Sequence, residues 1–494
     1  MPQDDKTSIG IVGAGVSGIA MGIHLKRAGF ENFTIYEKAD DVGGTWRENT
    51  YPGLHCDVPS HLYCYSFELN PDWSQTFAGQ PEIKAYLQRC ADKHGLARHL
   101  QLGTLIERAC YDEDDGSWTL STGDGRTVQH RVVVSATGGL TAPNLPKIEG
   151  YDVFKGRWWH SGAWDHGHDL SGKRVAVVGS AASAVQVVPH VAGLARQVFV
   201  LQRTPNYVLP RRNLAYRPDQ KEEFKRPDTR ALGDHRRWLY RRSLRSYQVF
   251  KKSPAAQVWL RTATLDHLRA HISDPALIEN LTPRYTPGCK RLLVSDDYYP
   301  ALTKKHVQLV AAGLDRLNET GLVATNGSAF DVDVVIFCTG YKLGGRAEGG
   351  PAVDVVGRAG HRLRHVLGAR PQAFYGVAIP GFPNYFTICG INGVVAYASV
   401  TSSAEVHAEY IARRIRDLTQ RGLRSIEVKS DVVQRFSEEA QAELQSMSWA
   451  ENCPNFYRDS SGRILSFYPG TLGRLRREMR VRTLADYDLE VVRP

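Results

Sequence analysis

Twice along this chain an apolar run breaks at a glycine, turns helical, and returns to a second apolar run ending on a charged residue. The first copy is SIGIVGAGVSGIAMGIHLKRAGFENFTIYEK at 8–38. Ile9 to Val12 reads as a core strand, Gly13-x-Gly15-x-x-Gly18 as the turn, and the helical pattern runs to about Arg27. A second strand ends at Glu37. Gly13 allows the tight turn, Gly15 lets backbone approach a pyrophosphate, and Gly18 lets the helix pack against the strand. The helix start, with Ser17 in its first turn, offers N–H donors and a favourable dipole to phosphate. Glu37 stands where a carboxylate can accept hydrogen bonds from ribose hydroxyls.

The second copy is GKRVAVVGSAASAVQVVPHVAGLARQVFVLQRTP at 172–205. A strand to Val178 meets the small-residue turn Gly179-Ser180-Ala181-Ala182-Ser183-Ala184, then a helix and a strand leading to Arg203. Glu37 lies 24 positions after Gly13, and Arg203 lies 24 positions after Gly179. An acid at that point suits a free 2′-hydroxyl, whereas a guanidinium suits a 2′-phosphate. The first unit is therefore expected to hold FAD and the second NADPH. Alanines 181 and 184 replace the second and third glycines, and a Cβ at 181 is expected to push the pyrophosphate slightly outward.

Two such units predict an α/β protein with two Rossmann-like dinucleotide-binding domains. At 494 residues the chain has room for both. The reading assigns 1–150 and 371–494 to the FAD domain. It assigns 151–370 to the NADPH domain, with a largely helical insertion at 209–286. The glycine-rich stretch 344–360 reads as a mobile loop. The eight cysteines show no CxxC pair and no close cluster with histidine, which suggests neither a disulfide framework nor a metal site. No window is apolar enough for a transmembrane segment and no signal peptide is recognisable, so a reduced cytoplasmic protein is expected. Much of the net charge of +10 lies between Arg211 and Lys252, which reads as a solvated basic helix whose positive field helps attract a polyanionic cofactor. No nucleic-acid-binding signature accompanies it, so no nucleic-acid partner is expected.

FKGRWWHSGAWD at 154–165 fits FxGxxxHxxxW(P/D) through Phe154, Gly156, His160, Trp164 and Asp165. This resembles the fingerprint of type I Baeyer–Villiger monooxygenases, and the resemblance extends over nearly the whole chain. Gly43-Gly44-Thr45-Trp46 is similar to the family's GGTW. YPGLHCDVPSHLYCYSF at 51–67 is similar to its flavin-adjacent segment, and GCKRLLVSDDYYP at 288–300 to its catalytic-arginine segment. Thr137-Gly138 and Thr339-Gly340 resemble its crossovers between domains. Two departures stand out: Gly390-Ile391 replaces the usual Gly-Pro, and Phe456-Tyr457 replaces a Trp-Tyr pair.

The resemblance implies an FAD enzyme that uses NADPH and O2 to insert oxygen beside a ketone carbonyl through a C4a-peroxyflavin, giving an ester or lactone. It implies Arg291 as the catalytic cation and Asp57 as its active-site partner. FAD contacts follow at Gly44, Thr45, Trp46, Asp57, Tyr63, Ile106 and Val400. NADP contacts follow at His55, Cys56, Ser180, Ser183, Arg203, Thr204 and Lys290. Residues 154–165 become the joint between the domains. The alternative is an N- or S-oxygenating flavin monooxygenase, which the Trp164-Asp165 ending disfavours.

Overall fold

The computed structural model describes residues 7–342, 352–451, 453 and 455–491. The first unit forms as its sequence predicts, with β1 at Ile9–Val12, α1 at Val16–Arg27 and β2 at Phe33–Tyr36. All four β1 residues are buried, because the strand lies inside a parallel sheet covered on both faces. The sheet runs Tyr385–Thr387, Val132–Ser135, β1, β2, Leu100–Gln101, every pairing parallel. The second unit repeats the plan with β3 at Arg174–Val178, α2 at Ala184–Leu194 and β4 at Gln197–Leu201. Its sheet runs Val307–Val310, β4, β3, Val334–Phe337, Arg157–His160, again wholly parallel. The molecule is thus an α/β protein with two Rossmann-like sheets.

The chain returns to the first sheet after building the second: Tyr385–Thr387 pairs with Val132–Ser135. Then α3 (Val400–Gln420) packs along α1. The two crossovers lie side by side. The Thr339 hydroxyl donates to the Asn144 carbonyl at 2.6 Å, and Tyr341–Lys342 pairs antiparallel with Ala142–Pro143. Gly138 and Gly340 turn there with φ of 69° and 79°, which favours glycine. Between 209 and 286 stand four helices, Pro218–Lys225, Ala231–Phe250, Pro254–His271 and Pro275–Leu281. Ala231–Phe250 buries Leu239, Val249 and Phe250, while Arg242 and Arg245 lie over the Trp238 and Trp259 rings. The basic run is a largely solvated helix, as read. No helix among the described residues is long and apolar enough to cross a membrane.

Two expectations need correction. The stretch 344–360 is not loop throughout, since Asp354–Val356 is a strand parallel to Ile106–Asp112. Val353 and Val355 are buried against Trp118, and a strand of three residues is too short to show a period. Residues 343–351 lie outside those described. The cysteines also do not all stay free. Cys289 and Cys453 form a disulfide across 164 residues of sequence. That pairing arises from the return of the chain, which spacing along the sequence does not reveal.

Candidate active site

In the first cradle, the Gly13 N–H donates to the Tyr36 carbonyl at 2.7 Å, with φ of 106° at the turn. A Cβ on Gly18 would lie inside the Gly13 carbonyl oxygen, so helix and turn are as close as backbone permits. Gly44 (φ 54°) backs onto Gly15, and its Cβ would come 2.9 Å from the Gly15 Cα. The Gly43 N–H donates to the Ala14 carbonyl at 3.0 Å, so the Gly44-Thr45-Trp46 loop lies against the glycine turn. Ser17 is buried in the first turn of α1. That helix start has neither a side-chain cap nor an acidic residue, which leaves its first N–H donors available to an anion. The Glu37 carboxylate accepts from the Ala14 N–H at 2.8 Å and the Ala39 N–H at 3.1 Å. Its carbonyl accepts from Thr104 at 2.8 Å, which sets Ile106 beside the same edge.

The second cradle is looser. Gly179 turns at φ of 121° and its N–H donates to the Leu201 carbonyl at 3.0 Å. Ala184 is wholly buried at the helix start, so this turn has room for a methyl that the first lacks. Ala181, which stands at the place of the second glycine, is exposed. Ser183 precedes the helix without a cap bond, and the Ser180 hydroxyl donates to the Thr204 carbonyl at 3.0 Å. Lys290 comes to the same place. Burial, and next the nearby Arg203 charge, pull its ammonium below the ordinary lysine value. Among the described residues neither cation has a carboxylate partner. Two cations converging without an acid suit a 2′-phosphate.

Between the cradles lies the 51–67 segment. The Arg291 Nε and Nη2 donate to the two Asp57 carboxylate oxygens, each at 2.7 Å. The pair is enclosed yet reached by solvent, with side chains 45% and 22% exposed. Burial alone pushes the Asp57 carboxyl up, but the Arg291 charge and hydrogen bonds outweigh it and hold it below the ordinary value. Asp57 in turn holds Arg291 firmly protonated. The Trp46 indole donates to the Tyr63 hydroxyl at 2.8 Å, joining two of the expected flavin contacts. Val400 opens α3, whose next residue, Thr401, donates to the Cys64 carbonyl at 3.4 Å.

A family model for flavin-binding monooxygenase-like proteins matches residues 6–220. A Baeyer–Villiger monooxygenase of Streptomyces coelicolor is 37% identical over 489 residues, covering 98% of this chain and 93% of its own. One from Pseudomonas aeruginosa is also 37% identical, covering 95% and 88%. The chain belongs to the Baeyer–Villiger monooxygenases. Solved structures agree. A steroid monooxygenase bound to NADP matches with a TM-score of 0.85 at 28% identity, over 98% of this chain and 100% of that one. OTEMO in complex with FAD and NADP matches at 0.87 and 25%, over 99% and 100%. The glycine cradle and buried Glu37 fit FAD, and the paired cations fit NADPH.

In this Baeyer–Villiger monooxygenase the 154–165 motif forms an edge strand, with Arg157–His160 paired to Val334–Phe337. A Cβ on Gly156 would strike the Phe154 ring, so the two residues require each other. His160 is buried, its Nδ1 accepts from the Gly162 N–H at 3.0 Å, and its ring meets Tyr341 edge-on. The Tyr341 hydroxyl donates to Asn49, and Thr50 bonds His166 at 2.7 Å, so the motif is linked through Tyr341 and through His166, which follows it, to the segment after Trp46. Trp164 packs edge-on against Trp159. Asp165 accepts from the Gly167 N–H at 3.1 Å and pairs with Arg157 at 3.6 Å.

Two neighbours escaped the sequence reading, and a third, Tyr457, was named there only as half of an altered pair. Gln186 on α2 donates to the His55 carbonyl at 3.0 Å and accepts from the His55 N–H at 3.4 Å, so the second cradle's helix holds the segment carrying Cys56 and Asp57. The signal was a lone amide inside AVQVVPHVAGL. Arg211 adds a positive charge felt by Asp57. Tyr457 is buried near Arg291, whereas Phe456 is 58% exposed, so the tyrosine is the site-facing member of that pair.

Proposed function

We propose that this enzyme uses NADPH and O2 to insert one oxygen atom next to the carbonyl of an apolar ketone, giving an ester or lactone. Bound FAD supplies the redox chemistry, accepting hydride from NADPH and engaging O2. The protein's part is position and charge. Gly13, Gly15, Ser17, Gly18 and Glu37 hold the FAD phosphates and ribose, with Gly44, Thr45, Trp46, Tyr63, Ile106 and Val400 along the rest of it. Gly179, Ser180, Ser183, Arg203, Thr204 and Lys290 hold NADPH, with the His55–Cys56 backbone turned toward it by Gln186. Residues 1–150 and 371–494 act as the FAD domain and 151–370 as the NADPH domain, with 209–286 as its helical insertion.

Arg291 is assigned the central role. Oxygen insertion builds negative charge on the ketone oxygen, and a fixed guanidinium stabilises it without a change of protonation. Asp57 aims that guanidinium and moderates its charge. His160 and Trp164 carry the contacts between the two halves that shift as NADP changes role. NADPH dependence fits a cytoplasmic setting, where that cofactor is regenerated.

The bidentate Arg291–Asp57 pair between two cofactor cradles is the observation that carries this reading. The test is to supply purified holoenzyme with NADPH, O2 and a panel of cyclic, linear and aryl ketones, measuring ester per NADPH consumed. Ester from wild type, none from Arg291→Ala with flavin reduction retained, and excess hydrogen peroxide from His160→Ala are expected. Hydrogen peroxide alone from wild type with every ketone would overturn the assignment.

A further inference from the structure

Five of the six free cysteines offer little reactivity. Burial pushes the thiols of Cys56, Cys64, Cys90, Cys338 and Cys389 above the ordinary value, which disfavours the reactive thiolate. Cys289 and Cys453 are buried as well, but they are bonded to each other and stand beside the site, where opening of the loop would uncover them. Cys289 immediately precedes Lys290 and Arg291, and it closes a tight turn through its N–H to the Thr286 carbonyl at 3.0 Å. Gly288 in that turn has φ of 85° and fits closely under Ser448 and Val249. Cys453 lies on the returning C-terminal segment that carries Tyr457. Asn455 stitches this side, with its amide donating to the Trp449 carbonyl at 3.2 Å and its oxygen accepting from the Tyr457 N–H at 3.1 Å. The same amide lies 3.8 Å from the Cys289 sulfur. One covalent bond therefore ties the Lys290–Arg291 loop to the wall that carries Tyr457.

Bonds of this kind are uncommon in a reducing compartment, where those present are usually redox-sensing. We propose that Cys289–Cys453 is a thiol-oxidation site that sets NADP affinity by tethering or releasing the Lys290–Arg291 loop. The oxidant is hydrogen peroxide, the by-product of any flavin oxygenase turnover that fails to deliver its oxygen. One thiol gives up its proton and the thiolate attacks a peroxide oxygen: an S–O bond forms, the O–O bond breaks, two electrons pass from sulfur to oxygen, and the departing hydroxide takes up the proton as water. The second thiol attacks that sulfenic sulfur, the S–S bond forms, and a second water leaves. Two thiols and one peroxide thus give the disulfide and two waters. A dithiol reverses it by exchange and is itself oxidised. With the bond made, Lys290 and Arg291 are held in place for the cofactor. With it open, ordering the loop opposes binding.

The inference rests on Lys290 and Arg291 facing the cofactor and substrate, so both of its readouts avoid turnover. The first is the free-thiol count of denatured holoenzyme after peroxide or dithiothreitol treatment. The second is the Kd for NADP+, followed through the flavin absorbance. Six thiols after peroxide and eight after dithiothreitol are expected from the one bond among eight cysteines. The Kd should rise about tenfold on reduction and recover with peroxide. Cys453→Ser should bind NADP+ like the reduced enzyme and respond to neither reagent. Should it fail to fold, wild type cycled between the two reagents decides alone. Eight thiols after peroxide, or one Kd in both states, would overturn the proposal. A failure to oxidise any ketone would instead count against the functional reading and leave these two measurements intact.

Discussion

At the scale of single residues, the proposal that the second cradle takes NADPH rests on charge. Arg203 and Lys290 stand together without an acidic partner among the described residues, and Lys290 is already pulled below its ordinary value by burial and by its neighbour. A dianionic phosphate relieves both penalties, and NADH lacks it. Charge-assisted hydrogen bonds contribute about 1.5–3 kcal/mol each, so Lys290→Ala should raise the KM for NADPH by roughly 10- to 100-fold. The KM for NADH should scarcely move. Steady-state kinetics with both cofactors checks this, and an equal loss for the two would show that Lys290 does not read the phosphate. Arg203 was legible because its place follows from the repeated unit. Arg291 and Lys290 were legible through the GCKRLL context. Gln186 was not, since its two bonds run to a backbone 131 positions away and an amide in a helix gives no hint of its partner.

At the scale of elements, the two cradles share a topology but not a closeness of packing. Helix α1 touches its turn so tightly that Gly18 has no space for a methyl, whereas α2 accepts Ala184 in a buried setting. Overpacking against backbone costs about 1–3 kcal/mol, and here neither partner is a flexible side chain that could move away. Gly18→Ala should therefore give protein with little bound FAD or little soluble protein at all, while Ala184→Gly should keep both cofactors. The flavin-to-protein absorbance ratio after purification separates these outcomes, and full FAD loading of Gly18→Ala would contradict the packing argument. The glycine spacing made both units legible, since strand, turn and helix lie within about thirty residues. Asp354–Val356 and the Cys289–Cys453 bond were not legible. Each depends on the chain meeting itself after a long excursion, with no local pattern to mark the site.

At the scale of the whole molecule, the core holds histidines in the neutral form. His407 is fully buried, its Nδ1 accepting from the Cys389 N–H at 3.0 Å, and burial pulls it down to about 3. His61, ringed by Tyr216, Phe224 and His235, is pulled to about 3 by burial, then by His235 and Arg236. His130, bonded to the Tyr36 hydroxyl at 2.8 Å, is pulled to about 4 by burial. Each folded value lies below the 6.5 of the unfolded chain, so the unfolded state takes up protons first as pH falls. The stabilisation is complete above about pH 6.5 and is lost progressively as pH falls to the folded values of about 3 to 4. Three such groups give a slope of up to about 4 kcal/mol per pH unit near pH 5, against a total stability of about 5–15 kcal/mol. The Tm should thus fall steeply between about pH 7 and pH 5. His407→Gln keeps an acceptor for Cys389 but cannot titrate, so it should flatten the fall by about a third. A wild-type Tm that stays level over that range would mean that these rings gain protons in the folded state as readily as in the unfolded one. The sealed core of the first sheet would then have to open to water without unfolding.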